Sequence, residues 1–60
     1  GSGDPVDEIN GIGAAYAERL SDAGIETVGD LAAADVEAVA EQTDLSAKRI
    51  QGWVDQAEEY

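Results

Sequence analysis

Ile9-Asn10-Gly11-Ile12-Gly13-Ala14-Ala15-Tyr16-Ala17-Glu18-Arg19-Leu20 is the stretch that decides how this chain folds. Asn10-Gly11 breaks any helix begun before it, and Gly11 can take the positive φ that a Cβ penalises. From Ala14 to Leu20 runs a block of strong helix formers. Ile12, a single apolar residue between two glycines, is expected to point back between two helices and pin them. Ala17 is small enough to let those helices approach closely. The stretch predicts a helix, a tight hairpin and a second helix.

The flanking sequence extends the pattern. On the N-terminal side, Asp4-Pro5 offers a capping acid followed by proline at a first helical position, and Val6 and Ile9 are spaced for one amphipathic turn. On the C-terminal side the helix stops at Gly24, a left-handed cap followed by apolar Ile25. Thr27 and Asp30 make a capping box with Asp in place of Glu, opening a short helix with Val28 and Leu31 on one face. Asp35 caps the next helix, whose stripe is Val36, Val39 and Ala40. Thr43-Asp44-Leu45-Ser46 interrupts it, and Ser46 caps a last helix with Ile50, Trp53, Val54 and Ala57 on one side. Nothing alternates in the manner of a strand. The expectation is an all-α fold of five short helices in one domain over residues 4–60, with Gly1-Ser2-Gly3 read as a cloning remnant. Trp53 is expected in the core and Tyr16 at its edge or on a contact surface.

A shift of 33 positions, which carries Gly11-Ile12-Gly13 onto Asp44-Leu45-Ser46, also lays Ala14-Ala15 on Ala47-Lys48, Ala17 on Ile50 and Leu20 on Trp53. The chain therefore holds two copies of one unit, joined by the helix that starts at Thr27.

Composition narrows the function classes. Sixty residues make one domain with a small core. Without cysteine there is no disulfide framework or thiolate metal site, and without histidine the commonest general base and zinc ligand are missing. The carboxylates are scattered, with no EF-hand spacing, and so small a chain leaves little volume for the enclosed pocket that paired catalytic acids need. The expectation is no enzyme, no metal, no cofactor and no small-molecule substrate. Gly11 and Gly13 begin no dinucleotide fingerprint, because Tyr16 stands where a third glycine belongs, and no Gly-Lys-Ser/Thr marks a P-loop. No apolar run approaches the roughly 20 residues that span a bilayer, and no signal peptide is visible, so a cytoplasmic, membrane-free location is expected.

Fourteen acidic residues against three basic ones give a formal net charge of −11. An acidic disordered tail would have this balance, but the apolar periodicity argues for a folded protein from a very salty cytoplasm, kept soluble by its charge.

The pattern apolar-x-Gly-apolar-Gly-x-x-x-Ala-x-x-Leu, met by Ile9, Gly11, Ile12, Gly13, Ala17 and Leu20, resembles the helix-hairpin-helix signature. From Val6 to about Ala57 the chain resembles a tandem pair of such motifs in a SAM-like architecture, as a haloarchaeal-type acidic member. Thr43 to Trp53 resembles the degenerate second copy. Such pairs occur in repair nucleases, NAD-dependent ligases and Holliday-junction proteins, and also as accessory modules that bind a protein or ribosomal RNA. The resemblance implies a hairpin that grips the DNA backbone without reading bases, and whose carbonyls can hold a monovalent cation. The residues suit that role: bare N–H groups of Gly13, Ala14 and Ala15 at a helix N-terminus favour an anion.

The expected nucleic-acid-binding residues are Gly11, Ile12, Gly13, Ala14, Ala15 and Arg19 in the first unit. In the second they are Leu45, Ser46, Ala47, Lys48 and Arg49. Ala14-Ala15 departs from the lysine or arginine that DNA-binding relatives often carry there. The charge would repel DNA over a Debye length of roughly 10 Å in dilute buffer, shrinking to about 3 Å at 1 M salt, where counterion release also fades. Two functions follow: a non-enzymatic accessory domain making sequence-independent contact with phosphates through hairpin amides, or a protein–protein interaction module with degenerate hairpins, using Tyr16 and the last helix.

Overall fold

The computed structural model describes residues 3–60; Gly1 and Ser2, the first part of the expected cloning remnant, lie outside the described residues. Among the described residues the chain forms four α-helices and no strand: α1 (Ala14–Asp22), α2 (Val28–Ala32), α3 (Val36–Thr43) and α4 (Ala47–Glu59). The first expected helix is a single 3₁₀ turn, Val6–Glu8, closed by Ile9 N–H donating to the Val6 carbonyl at 3.1 Å. Pro5 is its cap residue, extended at ψ 146°, rather than its first helical residue, and no side chain caps the turn. Ile9 is extended again at ψ 134°, which leaves too few residues for an α-helical i→i−4 bond. The segment is anchored elsewhere: Val6 N–H donates to the Glu26 carbonyl at 3.2 Å, and Val28 N–H to the Asp4 carbonyl at 2.8 Å.

The remaining boundaries follow local rules. Gly24 is left-handed at φ 88°; its N–H donates to the Ser21 carbonyl at 2.9 Å and the Ile25 N–H to the Leu20 carbonyl at 2.8 Å. This is the Schellman arrangement, with Leu20 and Ile25 both buried. The Thr27–Asp30 capping box is formed in both directions. Asp35 accepts from the Glu37 and Ala38 amides, and Ser46 from the Arg49 amide.

Leu20, Leu31 and Ile50 are wholly buried at the centre, surrounded by Val6, Ile9, Ile12, Ile25, Val28, Val39, Trp53, Val54 and Ala57. The longest helix, α4, packs against both α2 and α3, while α1 packs on α3 and the 3₁₀ turn. Thr43 is the buried polar residue of this core; its hydroxyl donates to the Val39 carbonyl at 2.7 Å, so no desolvated donor is left unsatisfied.

The internal repeat is present in the backbone. Gly11 at φ 95° and Asp44 at φ 62°, which the shift superposes, both occupy the left-handed region. Gly13 and Ser46 are the matching N-cap residues of α1 and α4.

Candidate functional site

Each hairpin delivers the chain into the N-terminus of a helix, but the two ends are finished differently. Ile12 is buried in the core, and its N–H donates to the Ile9 carbonyl at 3.1 Å. At Gly11 a Cβ would lie 3.2 Å from the Trp53 indole nitrogen, and the glycine lets the hairpin close onto that ring. Gly13 differs: its backbone is ordinary, at φ −88° and ψ −176°, and a Cβ there would meet nothing within 4 Å. No side chain caps α1. The first-turn amides of Ala14, Ala15 and Tyr16 are therefore left to solvent, beside an open surface at Gly13.

The second hairpin is held by its own side chains. The Thr43 hydroxyl accepts from the Leu45 amide at 3.4 Å, and Ser46 Oγ accepts from the Arg49 amide at 3.2 Å. Leu45 is half-buried, while Ala47, Lys48 and Arg49 are exposed.

Both arginines are engaged within the chain. Arg19 lies five residues along α1 from Ala14, roughly 7.5 Å of helix rise from the first hairpin. Its Nη1 donates to the Thr43 carbonyl at 3.3 Å, at the mouth of the second hairpin. Arg49 lies over the Tyr16 ring, with its guanidinium carbon 5.4 Å from the centroid, and donates to the Tyr16 hydroxyl. Tyr16 in turn packs on Trp53, with centroids 5.2 Å apart and planes tilted by 55°. Lys48 alone of the three cations has no side-chain partner among the described residues.

Tyr16 and Arg49 are separated by 33 residues, the repeat shift itself, so they are equivalent positions of the two units in direct contact. The long side chains of Tyr16 on α1 and Arg49 on α4 bridge the two units. Asn10 and Thr43 form a second equivalent pair: the Asn10 carbonyl accepts from Gln56 Nε2 at 3.1 Å, and the Thr43 carbonyl accepts from Arg19. Sequence reasoning gave Asn10 and Thr43 only a helix-breaking role and Gln56 none, although the shift that aligned the hairpins already related positions 10 and 43.

Elsewhere, Glu37, Ala40, Glu41 and Ala47 line an open groove of about 340 Å³ between α3 and the start of α4. No cluster of three or more Asp, Glu, His or Cys side chains able to hold a metal occurs among the described residues, and no described helix is long and apolar enough to cross a membrane.

Two repeated hairpins, each with a left-handed residue and each leading into a helix N-terminus, define a tandem helix-hairpin-helix protein. The chain belongs to the SAM-like helix-hairpin-helix tandem family, whose profile matches residues 4–59. It is also similar to part of the poly(3-hydroxyalkanoate) polymerase subunit PhaC of Haloarcula marismortui, 49% identical over 51 residues covering 85% of this chain and 11% of that protein. The corresponding subunit of Haloferax mediterranei is 47% identical over 51 residues, covering 85% of this chain and 10% of that protein. The chain thus spans about a tenth of the length of these curated relatives, both of them haloarchaeal. No solved structure matches it.

Proposed function

We propose that the domain is a non-catalytic accessory module that docks a larger protein onto a protein partner in concentrated salt. The observation that carries this reading is the fate of the basic side chains. Arg19 is engaged at the Thr43 carbonyl and Arg49 at Tyr16, which leaves Lys48 to face a polyanion from a chain of net charge −11. Affinity for nucleic acid comes chiefly from cations that neutralise phosphates, and these hairpins present almost none. The relatives agree in kind, since the matching segment is a small fraction of a protein named as a subunit of a polymerase. The docking face is the side on which Tyr16 and the exposed surface of α4 meet.

The test uses the Haloferax mediterranei polymerase assembled from its subunits in 3 M KCl. Deleting the matching 51 residues from its PhaC subunit is expected to break the assembly in sedimentation velocity, and grafting this chain in their place to restore it. An assembly that survives the deletion intact overturns the docking reading.

One observation favours a second reading. The uncapped first turn of α1, open at Gly13, suits an oxyanion of a nucleic-acid backbone. In that case Gly11, Ile12, Gly13, Ala14 and Ala15 form the main grip, with Leu45, Ser46, Ala47, Lys48 and Arg49 as a weaker neighbour and Arg19 as a support. Titrating a duplex into isotopically labelled protein at 3 M KCl would then move the amides of Gly13, Ala14 and Ala47, and Gly13→Glu would abolish the shifts without unfolding the domain. No amide shifts with duplex would remove this alternative.

A further inference from the structure

Fourteen acidic residues stand against three cations in this chain, yet among the described residues neither arginine pairs with a carboxylate. Arg19 of the first unit donates to the main-chain carbonyl of Thr43 in the second. Arg49 of the second unit donates to the hydroxyl of Tyr16 in the first and covers its ring at 5.4 Å. Both contacts cross from one unit to the other, in opposite directions, and both end on an acceptor without net charge.

We propose that Arg19 and Arg49 form a reciprocal clasp that fixes the two hairpins relative to each other and is insensitive to salt. The choice of acceptor is what makes it so. An exposed ion pair depends on attraction between net charges, which dissolved ions screen within about 3 Å at 1 M salt. A carbonyl, a phenol and an aromatic face offer short-range donor geometry and a ring quadrupole instead, and these leave little long-range field to screen. Guanidinium is the group suited to this: a delocalised cation with several N–H donors can meet a ring and its hydroxyl at once, which a lysine ammonium does not reproduce. Trp53, buried in the core, also packs against the Tyr16 ring. The clasp closes at the first turn of α1 and at the mouth of the second hairpin, so it sets the spacing of the two helix N-termini. It is independent of which partner the domain docks.

The experiment is a double-mutant cycle of Arg49→Gln and Tyr16→Leu, read by urea unfolding at 0.5 M and 3 M KCl. Sucrose is present in both series to hold the fold at the lower salt. Urea is required because guanidinium is itself a salt. The expected coupling is about two- to five-fold in the unfolding equilibrium constant, equal at the two salt concentrations. Arg19→Gln should still weaken the fold at 3 M KCl, where general repulsion is screened, and Arg49→Lys should fail to restore the coupling. A coupling that fades toward unity at 3 M would show the arginines to be held by the carboxylate field, and a coupling absent at both would show no clasp; either result overturns the proposal.

Discussion

At Gly11 the backbone sits at φ 95° and a Cβ would press to 3.2 Å from the Trp53 indole nitrogen, whereas at Gly13 the backbone is extended and the space is empty. The two glycines of one hairpin thus answer to different constraints. Gly11→Ala is expected to lose about 1–2 kcal/mol from the left-handed backbone, and more from the displaced indole. Gly13→Ala is expected to change stability by no more than about 0.5 kcal/mol. Urea unfolding of both variants in 3 M KCl checks this, and equal losses would contradict the hairpin geometry. Asp44, the counterpart of Gly11, is a non-glycine at φ 62°. Asp44→Gly exchanges left-handed strain for glycine's flexibility and should stabilise the fold by up to about 1 kcal/mol. That both positions are left-handed was implicit in the repeat; that Trp53 closes over one of them was not, because it stands 42 positions further along the chain.

The helices themselves are governed by interactions within four residues, and there the sequence reads well. The capping box at Thr27 and Asp30, the cap at Asp35, the cap at Ser46 and the stop at Gly24 all fall where residue type and spacing put them. Asp35 accepts from two amides, so Asp35→Ala should cost about 1 kcal/mol, measurable as a lowered urea midpoint. Ser46→Ala should cost a similar amount while baring the Arg49 amide; if the hairpins do hold phosphates, this less stable variant should bind duplex more tightly than the parent. The first helix was misjudged for a physical reason. Periodicity alone cannot tell one 3₁₀ turn from the start of an α-helix, and the decision came from Pro5 and Ile9 being drawn extended, with Asp4 and Val6 bonded through their main chains to the segment around Thr27.

The whole molecule is a small core inside a shell of like charge. Ile50, with no exposed surface, belongs to a cluster in which a leucine or isoleucine cut to alanine typically costs about 2–5 kcal/mol. That approaches the entire stability of a domain this size, so Ile50→Ala should be unfolded at 0.5 M KCl. The net charge of −11 sets the conditions under which the core suffices. Helicity measured by circular dichroism should rise from 0.1 M to 3 M KCl as self-repulsion is screened. Glu41→Gln, which relieves the Glu37–Glu41 repulsion one helical turn apart in α3, should lower the salt required. Helicity flat across that range would mean the acidic shell has no bearing on folding.

The sequence by itself determined the turns, the caps, the apolar stripes and the duplication, because each is settled by neighbours a few positions away or by direct comparison of one half with the other. It also announced where bare amides should emerge. Only the tertiary structure decided which of them stay bare and where the cations go. Arg19 meets its acceptor 24 residues away and Arg49 meets Tyr16 at 33. A long flexible side chain takes a partner only after the helices have packed and brought acceptors within reach.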